Sequence, residues 1–173
     1  MKNIEDLQHI YMLRQFGKVD REALVQWAVE WLVMGEDEND SEIILLSSSI
    51  SSEEIDQLAE IVLRRYLSDE QRSEEYWAGK YIVKLFKMYH KKEISISDLD
   101  NILCSVYNGI GNPSWLVMLS RNCEYATDIS NFEQPFIEEF EYIASLWSDA
   151  INVEDFYKRY DRSISNSHDI KSC

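Results

Sequence analysis

Glycine and proline are scarce in this 173-residue chain, at five and two, which excludes collagen-like and low-complexity classes. The three cysteines, Cys104, Cys123 and Cys173, are an odd and widely spaced set, unlike the disulfide framework of a small secreted domain. Reduced thiols in a cytoplasmic protein are therefore expected, with Cys104, inside Ile102-Leu103-Cys104-Ser105-Val106, read as a buried structural thiol. The three histidines, His9, His90 and His168, lie near no cysteine pair at zinc spacing. Basic side chains number 17 against 32 acidic ones, for a net charge of −15 and a pI near 4.5. That balance is the reverse of a nucleic-acid footprint, so no nucleic-acid partner is expected. No apolar run reaches the ~18 residues of a membrane span. The stretch Met1 to Asp6 lacks an apolar signal-peptide core. Neither export nor a membrane partner is expected.

What the chain does have is helical periodicity. Hydrophobic positions make up 45% of it, the composition of an ordinary globular domain. Ile4, Leu7, Ile10 and Tyr11 predict a first helix closed near Gly17. Leu24, Trp27, Ala28, Trp31 and Leu32 form a broad apolar face after an Asp20 cap, ending at Gly35. Ser41 opens a short helix through Ile43 to Leu46, and Ser51 a longer one carrying Ile55, Leu58, Val62 and Tyr66. Residues 69 to 75 read as a polar connection. Ser73 starts a long helix to about His90, with Trp77, Ile82 and Leu85 inward. Further starts fall at Ser95-Ile96-Ser97-Asp98-Leu99, at Asn112-Pro113 and at Pro135, with a last short helix from Val153 to Tyr160.

These segments predict an all-α protein of about eight or nine helices, a bundle or irregular domain over 1–162, followed by a polar, frayed tail over 163–173. The expected core includes Trp27, Trp31, Leu58, Val62, Trp77, Leu85, Leu103 and Trp147. No repeat period is visible.

Charge is unevenly placed. Residues 76–123 carry 3 acidic and 6 basic side chains, while both flanks are strongly acidic. Lys80, Lys84, Lys87 and Lys91 recur at helical spacing, which reads as a solvated face, or more sharply as a dock for an acidic surface or a weak anion site. On the acidic side, Glu36, Asp37, Glu38 and Asp40 follow the tryptophan helix, and Glu138, Glu139 and Glu141 fall on a later one. Clustered carboxylates steer a basic protein into contact, and Tyr157 and Tyr160, beside charged residues, are candidate anchors. Asp40 can instead cap the next helix, which ranks it below its three neighbours.

Catalytic and metal patterns fail one by one. The stretch beginning at Asp37 opens like a calcium loop but has Glu42 where glycine is required and Ser48 where glutamate is required. Asp6-x-x-His9 has no second copy for a di-iron bundle. Gly109-Ile110-Gly111 lacks the third glycine and preceding strand of a dinucleotide site. Neither catalytic residues nor cofactors nor metal ligands are expected, and the chain is read as a non-enzyme.

The run Ala23-Leu24-Val25-Gln26-Trp27-Ala28, followed by Leu32, Gly35, Asp37 and the helix Ile43 to Leu46, resembles small helical bacterial immunity proteins, including those of contact-dependent growth inhibition. The resemblance covers residues 23–48. It implies a cytoplasmic inhibitor that binds one cognate basic toxin domain and blocks its active site. The alternative expectation is a helical adaptor or scaffold holding a peptide or protein in an inter-helix groove.

Overall fold

The computed structural model describes residues 3–35 and 40–169, with side chains as far as residue 162. Ten helices and no strand are present among the described residues, so the all-α expectation holds. Backbone contacts group the chain into two compact units, Met1–Ser73 and Glu74–Cys173.

The first unit contains α1 (Ile4–Gln15), α2 (Glu22–Val33), α3 (Ser41–Ser48), α4 (Ser52–Tyr66) and α5 (Asp69–Arg72). Asn3 starts α1 with a reciprocal capping box to Asp6. Gly17 and Gly35 take the left-handed conformation beyond α1 and α2, at φ +67° and +74°, where only glycine is unstrained. Trp27 and Trp31 stack with ring centroids 4.9 Å apart. Around them Leu7, Leu24, Ile43, Leu46, Ile55, Leu58, Ala59 and Val62 form one buried cluster. Trp27 also donates its Nε1–H to the carbonyl of Asn3 at 3.2 Å. Arg14 grips Asp56 through Nε and Nη2 at 2.5 and 2.8 Å, fastening α1 to α4.

The second unit holds α6 (Glu74–His90), α7 (Ile96–Gly109), α8 (Ser114–Asp128), α9 (Glu133–Asp149) and α10 (Val153–Asp169). Its core is aromatic. The rings of Trp147 and Phe156 stack at 4.0 Å with 9° between planes, and Trp115 meets both edge-on at 5.2 and 5.5 Å. Helices α6 and α9 run antiparallel: Phe86 and Tyr89 meet Phe140 and Phe136 toward one end, and Tyr76 meets Trp147 toward the other. All eight expected core residues are buried.

Several local expectations change. The polar connection contains the short helix α5, opened by a capping box between Ser68 and Gln71. Helix α10 continues to Asp169, past the expected end at Tyr160 and into the segment read as tail. Pro113 takes the cap position itself because its ψ of 142° lies outside the helix, while Asn112 turns to φ +59°. Helix α2 starts after Arg21, with no side-chain cap from Asp20. Cys104 is exposed and Cys123 is the buried thiol. The inward stripe of α7 is Leu99, Leu103 and Val106, and Cys104 sits one residue, about 100° of rotation, away from it.

Candidate functional site

The carboxylates singled out by sequence do not form one site. Glu36, Asp37 and Glu38 lie outside the described residues. Asp40 is turned inward and is only 8% exposed. Its carboxylate caps α3 by accepting the backbone N–H groups of Glu42 and Ile43 at 3.1 and 3.2 Å. It also accepts from Arg65 Nη1 at 2.7 Å and from the Tyr66 hydroxyl at 3.0 Å. Arg65 reaches Glu42 with its other nitrogen at 2.6 Å. That bond, helped by the Ser41 hydroxyl, holds the Glu42 carboxyl down at a pKa of about 2. This group ties α3 to α4 and leaves Asp40 nothing to offer a partner.

The α9 carboxylates diverge by helical phase. Phe136, Phe140, Ile143, Ala144 and Trp147 form the buried stripe. Glu138 and Glu141, three residues apart, stand on the exposed face. Glu138 accepts from Gln134 Nε2 at 2.9 Å, and among the described residues no cation pairs with either carboxylate. Glu139 is half-buried on the flank toward α10, where burial raises its carboxyl above the usual range.

The two tyrosines lie at the boundary of the core, each half-buried. Tyr157 donates its hydroxyl to Glu75 Oε1 at 2.7 Å, and the same oxygen accepts Trp115 Nε1–H at 2.8 Å. Burial, reinforced by the Glu75 carboxylate, pushes the Tyr157 phenol well above its ordinary range and keeps it a donor. Tyr160 stacks on Phe156 at 5.7 Å and leans on Tyr142 at 6.4 Å. Both are half-buried parts of the aromatic core. Nothing in the sequence singles out Glu75, since one acid among 32 at a helix start looks like an ordinary first-turn carboxylate.

The lysines of α6 do lie on one side. Lys84, Lys87 and Lys91 are exposed, and with Lys80, Val83 and Met88 they line a shallow groove of about 420 Å³. Lys80 has a structural task within it. Its ammonium donates to the carbonyls of Trp147 and Ala150 at 2.7 and 2.8 Å, satisfying the exposed C-terminal end of α9. Lys91 approaches Glu93 only loosely, at 3.9 Å.

A larger cavity of about 540 Å³ opens between the end of α6, the following loop and the start of α9. Its walls mix His90 and Lys92 with Glu93, Asp98 and Glu133, and Asp98 is already committed to capping Ser95. Tyr89 donates its hydroxyl to Glu133 there, and burial raises the phenol pKa. Such a balanced lining selects no ligand charge. Among the described residues no three histidine, cysteine or carboxylate side chains gather as metal ligands, and no helix is long and apolar enough to cross a membrane.

No protein-family model, curated protein or solved structure matches this chain. Its function must therefore be read from the surface itself. Two surface features are candidates: the exposed α9 face, where Glu138 and Glu141 have no cationic partner among the described residues, and the lysine side of α6.

Proposed function

We propose that this chain is a non-enzymatic, cytoplasmic immunity or inhibitor protein that binds a cognate basic toxin domain and neutralises it by filling its cationic cleft. The observation that carries this reading is the exposed α9 face, where Glu138 and Glu141 have no cationic partner among the described residues in a chain of net charge −15. Unpaired carboxylates at one helical spacing offer a basic surface a ready set of partners, and the surrounding field accelerates encounter. Carboxylates placed in a cleft shaped for phosphates would exclude the substrate by occupying its anionic subsites.

The reading has a direct test. A reading frame adjacent to the one encoding this chain should specify a large secreted protein with a basic C-terminal domain. That domain, purified, should lose its activity when the chain is added. The association rate should fall steeply as salt is raised, and Glu138→Lys with Glu141→Lys should slow association by about tenfold at low salt. An association rate indifferent to both salt and charge reversal would overturn the reading.

That indifferent outcome is what the adaptor alternative expects. It is favoured by a groove of about 350 Å³ in the first unit, lined by Val25, Ile50 and Ile55, where the Ile50 side chain is 82% exposed.

A further inference from the structure

In the groove of about 350 Å³ in the first unit, apolar residues from three places in the chain meet: Val25 of α2, Ile50 between α3 and α4, and Ile55 of α4. Gln26 of α2 also lines it. Along α2 the apolar lining continues. Val29 and Val33 fall about 40° and 80° around the helix from Val25, and Gln26 falls about 100° from it. The two valines are therefore bracketed in phase by two groove-lining positions. Val25, Val29 and Val33 make one stripe about 12 Å long. Val33 and Ile50 are 81% and 82% exposed, yet α2 has polar side chains only at Glu22, Gln26 and Glu30. A helix so apolar belongs under cover on more than one face, and contiguous apolar surface left in water marks a contact surface.

We infer that this groove docks an amphipathic helix of another protein, apolar on one face and flanked by lysine or arginine. The groove lies in a different unit from α9, so its role is independent of the toxin-binding face, and it gives the adaptor reading a definite occupant. A helix is the form that fits. Among the described residues there is no strand edge with which an extended peptide could pair its backbone, whereas a helix satisfies its own backbone and needs only the stripe. The charge of the occupant follows from the surroundings. Glu22 lines the groove with its side chain 71% exposed, and Arg21, the cation of that lining, is already paired with it at 3.1 Å. Glu53 and Glu54, immediately before Ile55, are exposed and pair with no cation among the described residues. Residues 1–73 carry 16 acidic side chains against 7 basic ones. Flanking cations complement that field. A second copy of this chain would bring the same excess of carboxylates, and an anionic lipid surface would be repelled in the same way. Apolar contact supplies most of the affinity, and the carboxylates select among helices of similar apolar pattern.

Fluorescence anisotropy with labelled synthetic peptides and the full chain, at physiological salt, tests this. A helical peptide with leucine at every third or fourth position and lysines beside that stripe should bind saturably. The same peptide with glutamate in place of lysine should bind about tenfold more weakly or worse, and so should a basic peptide of identical composition with its leucines scattered. Ile50→Ser and Val33→Ser each remove exposed apolar surface, add no charge and should each weaken binding by about tenfold, with circular dichroism verifying that the helices remain. Absence of saturable binding by the patterned basic peptide would overturn the inference. So would equal binding of the acidic or the scattered peptide, or binding indifferent to both serine variants. Binding lost instead on Glu138→Lys with Glu141→Lys would place the peptide on α9 and overturn it too. No toxin domain enters the measurement, so failure here leaves the inhibitor reading standing, and failure of that reading leaves the groove result intact.

Discussion

At the residue scale the most consequential position is Gly79, in the middle of α6. A glycine there costs a helix about 1 kcal/mol relative to alanine, so its presence calls for a reason. A β-carbon at Gly79 would lie 2.1 to 2.4 Å from three ring carbons of Trp147. That indole is held by Phe156 on one face and by Trp115 at its edge, and it has little room to retreat. Overpacking of this kind costs about 1–3 kcal/mol, and so tight an overlap belongs at the upper end. Gly79→Ala should therefore lower stability by about 2 kcal/mol net of the helix gain, read as a fall in the urea midpoint. A midpoint that rose would mean the indole moves freely and only helix propensity matters.

None of this was legible in the sequence, where Gly79 merely fails to interrupt an apolar stripe. The same blindness placed Cys104 inside. Periodicity locates a stripe to within a residue or so, but the edge of a stripe is decided by neighbouring helices. Cys123, on the buried side of α8, has its thiol pushed up to about 12 by burial, with Asp100 adding to the shift.

At the element scale the sequence was far more informative, because capping and phase are local. The helix start at the Ser-Ile-Ser-Asp-Leu run, the glycine stops at Gly17 and Gly35 and the inward tryptophans are all present as read. Helix α5 escaped because four polar residues offer no hydrophobic period, and α10 outran its apolar stripe. The cap of α3 shows how an element claims a candidate site. Asp40 is drawn in by the N-terminus of α3 and by Arg65, so the acidic candidates lose one contact residue to folding.

This arrangement makes an acid-sensitive joint. Glu42 titrates near 4.5 in an unfolded chain and at about 2 when folded. A depressed folded value means that the stabilisation is fully present above pH 4.5 and is lost as the pH falls toward 2. Arg65→Gln removes the cation responsible. Its urea midpoint should lie below that of the unaltered chain at pH 6, and the gap should narrow progressively between pH 4.5 and 2. A gap that stayed constant across that window would show Arg65 to act by packing alone.

At the scale of the whole molecule the question is whether 32 carboxylates are held by their partners or repel one another. Residues 1–73 carry 16 acidic and 7 basic side chains, and residues 74–173 carry 16 and 10. All five arginines of the first unit are already in ion pairs, with Asp56, Glu22, Glu60, Asp40 and Glu42, and Asp69. The other ten acids there outnumber the two lysines of the same stretch fivefold. Most of these ion pairs are exposed, and exposed pairs contribute roughly 0–1 kcal/mol each. Net repulsion therefore outweighs them at neutral pH, and it acts across the molecule where salt screens it best. Sodium chloride should stabilise the chain at pH 7, raising the melting temperature by roughly 2–4 °C for each ~1 kcal/mol of repulsion removed. Near pH 4.5, where the net charge vanishes, the same salt should have almost no effect. A melting temperature that falls with salt at pH 7 would mean the ion pairs outweigh the repulsion. The α9 face would then be unable to draw on the long-range field that steers a basic partner toward it.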